Sequence, residues 1–267
     1  MRRVVYFALA IAAALTSAYP TPSAAQTDGS DGSSRVDRSA VNALTRMGNY
    51  LRGLKSFGVK ANVTSEDVLD DGQKVQVASR IEAVADKPNK LRVQLSSDRK
   101  QRMFFYDGSN FTIYAPRQNF YATVPAPSTI RDLVADLEQK YGLDLPFVDL
   151  FRWGTPDART SDIVAAVDVG PSEVEGTTCE QYAFRQDGLD WQVWIQDGDF
   201  PLPRKLVLTT LTDEARPQYS ATYAWNLAPS FEQESFVFTP PRDAKKITLA
   251  QVDAMRQANK RETGNNK

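Results

Sequence analysis

The stretch "DWQVWIQDGDFPLPRKLVLTTL", residues 190–211, reads as a strand, a turn and a second strand. Successive side chains of a strand point to opposite faces, so Trp191, Val193 and Ile195 share one face. Trp194 lies on the other face. The alternation does not say which face points inward. In either case, a face this apolar has to be covered by other parts of the chain or by a ligand.

The same two-residue alternation recurs from about residue 57 to about residue 226 and predicts about eleven short strands joined by tight turns. Helical spacing of apolar residues replaces it over residues 37–55 and within residues 128–153. Because so few helices cannot cover a flat sheet of this size, the sheet has to close into a barrel or bend into a half-barrel. We predict a mainly β (α+β) fold, a curved antiparallel half-barrel with a small helical lid.

The first residues have the pattern of a secretory signal peptide, with a basic start, an apolar run over residues 4–15, and Ser23 and Ala25 spaced for cleavage before Gln26. The apolar run is too short to span a bilayer. We therefore predict an exported, periplasmic protein that does not span the membrane. The predicted segments are a signal peptide over 1–25, a flexible leader over 26–35, a single half-barrel domain over 36–242 and a charged, partly disordered tail over 243–267.

The chain contains no histidine and one cysteine, Cys179. This composition removes the usual general base, the commonest zinc ligand and any intramolecular disulfide. We predict a protein that is not an enzyme and holds no cofactor and no transition metal, although calcium bound by carboxylates stays open. The formal net charge of −1 gives no indication of nucleic-acid binding.

Two segments carry a resemblance to known proteins. They are "YDGSNFTIYAPRQNFYA", which contains a strand, an Asp-Gly turn and a strand, and the region with Cys179, Tyr182, Phe184, Trp191, Val193, Trp194, Ile195 and "PLPRKLVLT". Over residues 36–241 the chain resembles a domain-of-unknown-function family of predicted periplasmic bacterial proteins, itself similar to the lipoprotein-localisation carriers LolA and LolB. The resemblance implies an eleven-stranded half-barrel whose helical lid encloses a cavity for acyl chains.

Two functions fit these observations. The first is a carrier or sensor that binds a lipid, a lipoprotein acyl chain or another apolar ligand between sheet and lid. The second is an interaction or regulatory module that fills its core with its own side chains and binds an envelope protein. Strand parity and the apolar stretch "LPFVDLFRW" predict the ligand-binding positions Phe57, Val59, Val63, Phe111, Ile113, Leu133, Leu137, Phe147, Phe151, Trp153, Trp191, Val193, Tyr223 and Trp225.

Overall fold

The computed structural model describes residues 35–250 of the chain. The predicted signal peptide, all but the last residue of the predicted leader, and residues 251–267 of the predicted tail lie outside the described residues.

The described chain forms one twelve-stranded sheet in the order β12-β6-β5-β4-β3-β2-β1-β11-β10-β9-β8-β7. Every pair of neighbouring strands is antiparallel except β12 and β6. The predicted curved antiparallel sheet with few helices is confirmed. The strands are β1 (Ser56–Val68), β2 (Lys74–Asp86), β3 (Lys90–Ser97), β4 (Gln101–Tyr106), β5 (Asn110–Ala115), β6 (Phe120–Pro125), β7 (Ala165–Val174), β8 (Thr177–Gln186), β9 (Leu189–Gln196), β10 (Pro203–Thr210), β11 (Gln218–Asn226) and β12 (Lys245–Lys246).

One pairing between strands distant in sequence turns two meanders into a single sheet. Strands β1–β6 form the first meander and β7–β11 the second. They join where β1 pairs with β11, in a register that places Ala61 opposite Tyr223 and Val63 opposite Ala221. Residues directly opposite each other point to the same face, so this register merges the apolar faces of the two meanders into one continuous surface.

Three α-helices lie on that surface, and two of them belong to the segment that connects the meanders. They are α1 (Arg38–Gly53), α2 (Ile130–Tyr141) and α3 (Val148–Arg152). Asp37 caps α1 by accepting a hydrogen bond from the backbone N–H of Ser39 at 2.8 Å. Gly142, with φ of 60°, ends α2 in the left-handed conformation that favours glycine.

The positions of these helices show which face of residues 190–211 points into the core. Trp191, Val193 and Ile195 lie in the main apolar cluster with α1, α2 and α3, and we call the face that carries them the inner face. Trp194 lies on the outer face, where its indole N–H donates to Ser172 Oγ at 3.1 Å and the ammonium of Lys205 lies 4.7 Å from its ring centre. Both faces of this strand are therefore covered.

The two edges of the sheet are partly blocked by the ends of the described chain. Strand β12 pairs with β6 just beyond the predicted domain boundary at residue 242. Shortly before it, the ring of Phe238 lies on the outer face, 5.1–5.2 Å from the rings of Phe105, Tyr114 and Tyr121. At the other edge, Val36 forms a parallel bridge with Ala166 of β7. Covered edges reduce the risk of strand pairing between molecules.

Helix α1 and the turn that follows α3 are held together by a backbone contact that only glycine permits. A Cβ built on Gly48 would lie 2.5 Å from the backbone nitrogen of Gly154, and one built on Gly154 would lie 2.5 Å from the backbone of Gly48. Gly154 has a φ of 76°. Arg52 closes the contact by donating to the Gly154 carbonyl at 2.8 Å.

We expect Gly48→Ala to lower the free energy of unfolding by about 1–3 kcal/mol, because the added methyl group overpacks the helix contact. Gly53→Ala is the matched control, since a Cβ there meets nothing within 4 Å and alanine stabilises a helix by about 0.5–1 kcal/mol relative to glycine. Urea unfolding followed by circular dichroism measures both variants. Equal stability of the two would contradict the close approach of α1 and α3.

Candidate functional site

Most of the predicted ligand-binding residues lie together in the main apolar cluster of the inner face. Eleven of them are at most 7 % exposed, namely Phe57, Val59, Val63, Phe111, Leu133, Leu137, Phe147, Trp153, Trp191, Val193 and Tyr223. They pack against one another: the rings of Phe147 and Tyr223 are 5.8 Å apart. These side chains fill the space between the sheet and the helices themselves.

The other three predicted residues are partly buried and lie at the borders of the cluster. Phe151 of α3 approaches Phe57 with a ring separation of 5.9 Å, and Trp225 approaches the same ring at 5.5 Å. The indole N–H of Trp225 donates to the carbonyl of Pro203 at 2.8 Å. Ile113 lies opposite Phe104 on the neighbouring strand, where the helices no longer bury the sheet.

The helices leave one border of the inner face uncovered. Phe104 and Ile113 are direct neighbours on β4 and β5. Across the sheet, Leu208 and Tyr219 are direct neighbours on β10 and β11. We call this border the open margin and define it by the partly buried apolar residues that pack against the main cluster along it, which are Leu95, Phe104, Ile113, Leu208 and Tyr219.

Sequence reasoning missed four of the five open-margin residues. The two-residue alternation assigns these four to the same face as the buried inner-face residues, so it could have identified them. They are Leu95, Phe104, Leu208 and Tyr219. What it could not show is where along each strand the helices stop. That limit depends on how the connecting segment crosses the sheet.

Burial shifts the pKa of two acidic groups, one on α3 and one on β11. Phe147 and Leu150 anchor α3 in the apolar cluster, and Asp149 lies between them in sequence. Burial, opposed by the charge of Arg152, raises the pKa of the Asp149 carboxyl. Burial, followed by the negative charge of Asp149, also raises the pKa of the Tyr219 phenol. Burial therefore favours the neutral form of both groups.

Two surface clefts in the described part of the chain are lined partly by charged residues. One, of about 220 Å³, lies on the outer face among Lys60, Arg80 and Glu82. The other, of about 200 Å³, lies between α1 and the β8–β9 hairpin and is lined in part by Arg46 and Glu180. Neither cleft includes an open-margin residue.

Two carboxyl groups of the sheet, those of Asp168 and Glu180, lie beside the second cleft, and Asp168 is hydrogen-bonded to α1. Ser39 Oγ donates to Asp168 Oδ2 at 2.9 Å. Asp168 Oδ1 is buried and has no hydrogen-bond partner among the described residues. Burial raises the pKa of Glu180, and the charge of Asp168 and a side-chain hydrogen bond with it act in the same direction. A proton on Glu180 would supply the donor that Asp168 Oδ1 lacks.

Residues 35–250 contain no group of three or more histidine, cysteine or acidic side chains placed to hold a metal ion. Within the same residues no helix is long and apolar enough to cross a membrane. Cys179 is buried on the outer face with Trp194 and Val174, and burial raises the pKa of its thiol. A raised thiol pKa lowers the fraction of reactive thiolate.

A family model described as predicted periplasmic protein (DUF2092) matches residues 40–250. The chain belongs to this family. The resemblance found in the two sequence segments is thereby confirmed. No curated protein matches the DUF2092 chain.

Several solved structures are similar to this DUF2092 chain. The Mycobacterium tuberculosis lipoprotein LppX is 11% identical with a TM-score of 0.46, over 73% of this chain and 100% of LppX. An uncharacterized conserved protein from Thermus thermophilus is 12% identical with a TM-score of 0.44, over 79% of this chain and 99% of its own. A LolA superfamily protein from Nitrosomonas europaea is 8% identical with a TM-score of 0.36, over 74% of this chain and 97% of its own.

We expect Glu180→Gln to flatten the pH dependence of stability. Because the pKa of Glu180 is raised in the folded state from 4.5, its protonated form contributes stability that is fully present below that value and is lost as the pH rises through the folded pKa. An amide keeps a donor toward Asp168 at every pH. Urea midpoints of the variant should therefore fall less than those of the wild type as the pH rises above 4.5.

Glu173→Gln, on the exposed side of β7, removes the same charge and should keep the wild-type pH dependence. Identical pH profiles for the wild type and Glu180→Gln would show that Asp168 and Glu180 do not share a proton.

Proposed function

We propose that the protein is a periplasmic, non-enzymatic binding protein that holds an apolar ligand along the open margin, beneath the edge of the helical lid. The observation that carries the proposal is the row of partly exposed Leu95, Phe104, Ile113, Leu208 and Tyr219, continuous with a large apolar core. The apolar residues form two patches, on β3–β5 and on β10–β11, separated on the same face by Ser65 and Ser79 of β1 and β2. Exposed apolar patches on a monomeric protein are typical of binding surfaces.

The affinity would come from burial of apolar surface. Each Å² removed from water contributes about 25 cal/mol, so an alkyl chain laid across these side chains would bind without any chemistry. The histidine-free composition of the chain agrees with such a role, because a binding protein of this kind needs no general base. The description of the family as periplasmic supports the compartment.

A ligand that enters deeper has to displace the lid. The lid is held on the sheet by its buried apolar residues, such as Leu133 and Phe147, whereas the ion pairs Arg152–Glu138 at 2.6 Å and Arg131–Asp157 at 2.9 Å join parts of the connecting segment to one another. Exposed ion pairs contribute only about 0–1 kcal/mol each. Movement of α2 and α3 away from the sheet would expose the buried Phe147 and Tyr223, so we propose that lid motion sets how far a ligand can penetrate.

The second candidate is an interaction module that binds an envelope protein. Two features favour this candidate. The protein's own side chains fill its interior, and the edge strand β7 exposes valines to solvent. Val167 and Val169 of β7 are 53% and 51% exposed, while a bulge between Asp168 and Gly170 interrupts the pairing with β8. Under this alternative the open margin would bind no small apolar molecule.

We expect Leu208→Gln to weaken the binding of a neutral apolar dye, Nile red, by about tenfold, because the substitution removes apolar surface worth about 1.5 kcal/mol or more from the open margin. Dye fluorescence titrations measure the effect, and circular dichroism verifies folding. Val167→Gln, on the exposed side of β7, is the matched control and should bind like the wild type. A wild type that binds no dye would leave the interaction module as the better account.

We expect the protein to be exported and to begin at Gln26 after cleavage, because Ser23 and Ala25 fit the small-residue pattern before the cleavage point. N-terminal sequencing of the protein from a periplasmic extract tests this. Recovery of only the intact Met1 form, in the cytoplasm, would rule out the proposed compartment.

A further inference from the structure

The strands at one end of the sheet carry positive charge only. Strands β3, β4, β5, β6 and β12 contain no acidic residue, whereas they carry Lys90, Arg92, Arg102, Lys245 and Lys246. In the whole chain, 32 basic residues are balanced by 33 acidic ones. These five strands therefore differ in charge from the rest of the protein.

Arg102 lies on the inner face beside the β3–β5 patch, the apolar group formed by Leu95, Phe104 and Ile113. It lies directly opposite Leu95 and two positions before Phe104, so the three side chains point to the same face. Its guanidinium donates to Gln118 Oε1, in the turn between β5 and β6, at 3.1 Å. The buried end of β4 is the opposite one, so this cation lies at the solvent-exposed end of the patch.

Lys245 adds a second cation to the same face. Strand β12 runs parallel to β6 and places Lys245 opposite Phe120, which lies opposite Ala115 of β5. Ala115 comes two positions after Ile113, so these side chains share the inner face. The next residue, Lys246, points to the outer face. Because β12 is three strands from β4, about 14 Å away, the long side chains of Arg102 and Lys245 can approach one anion from two sides.

Neither inner-face cation is neutralised by the described part of the chain. Among residues 35–250, no carboxylate oxygen lies within 4.0 Å of the side-chain nitrogens of Arg102 or Lys245. Arg117, in the turn between β5 and β6, donates only to the backbone carbonyls of Ser97 and Asp98. This end of the open margin therefore presents positive charge to whatever lies on it.

An apolar row beside a cationic row suits an anionic amphiphile. Residues of one strand that share a face are about 6.7 Å apart, so an alkyl chain on Phe104 and Ile113 would place its head next to Arg102. A carboxylate head would accept charge-assisted hydrogen bonds there, whereas an ammonium head would be repelled. A flat membrane surface is a poorer match, because the patch lies on the side of the sheet that carries the lid helices.

We propose that the β3–β5 patch binds a single-chain amphiphile with an anionic head, such as a fatty acid carboxylate. The alkyl chain covers Phe104 and Ile113, and Arg102 and Lys245 hold the head. The proposal rests on the proposed function, since it assumes that the open margin takes an apolar chain. It goes further by choosing the β3–β5 patch over the β10–β11 patch and by assigning the charge of the head group.

The test compares decanoate, decylammonium and decanol as ligands of the mature protein by isothermal titration calorimetry at pH 8. We expect decanoate to bind about tenfold more tightly than decylammonium, because the two cations attract one head and repel the other. Phe104→Gln should weaken the binding of all three ligands, since it removes apolar surface that each alkyl chain covers.

Charge variants on the two faces of β12 provide the matched comparison. Arg102→Gln and Lys245→Gln should each weaken decanoate binding by about threefold to fivefold, the range expected for an exposed charge pair, and should leave decanol binding unchanged. Lys246→Gln removes the same charge from the same strand but on the outer face, so it should bind decanoate like the wild type. Salt of about 0.15 M limits longer-range effects, because it screens charges beyond about 8 Å.

The outcomes separate this proposal from the proposed function. If decanol and decylammonium bind as tightly as decanoate, or if Lys245→Gln and Lys246→Gln behave alike, the anionic head-group assignment is wrong while the apolar binding function stands. Cosedimentation with phosphatidylglycerol vesicles without decanoate binding would overturn the assignment in favour of a membrane surface. If none of the three ligands binds and no vesicles are bound, both proposals fail.

Discussion

The structure depends on one constraint: the inner face of a twelve-stranded sheet is larger than three helices can cover. The face becomes continuous only because β1 pairs with β11 in a register that aligns the apolar residues of both meanders. The connecting segment with α2 and α3 then has to lie across this face, since its apolar residues have nowhere else to be buried. The open margin is the part of the face that remains.

The sequence predicts the strands and their faces well because strand alternation is a local property. Trp191 and Trp194 separate onto opposite faces as the alternation requires. The long-range features are not local: nothing in the composition indicates that Gly48 meets Gly154 or that the helices stop short of Leu208. The alternation therefore sorted residues by face, whereas the helices show which face is the inner one and how far along each strand it is covered.

The same geometry links the interior to the proposed binding surface. The residues expected to line a deep cavity fill it themselves, so the surface accessible without lid motion is the open margin. At one end of the open margin Leu208 lies opposite Tyr219, and at the other end Phe104 lies opposite Ile113.

The most direct measurement is the set of intermolecular nuclear Overhauser effects between a bound fatty alcohol and the protein. We predict contacts from the alkyl chain to residues of the open margin, either Leu208 and Tyr219 or Leu95 and Phe104. Contacts confined to the outer face, for example to Phe238 and its aromatic neighbours, would contradict the assignment of the open margin as the binding surface.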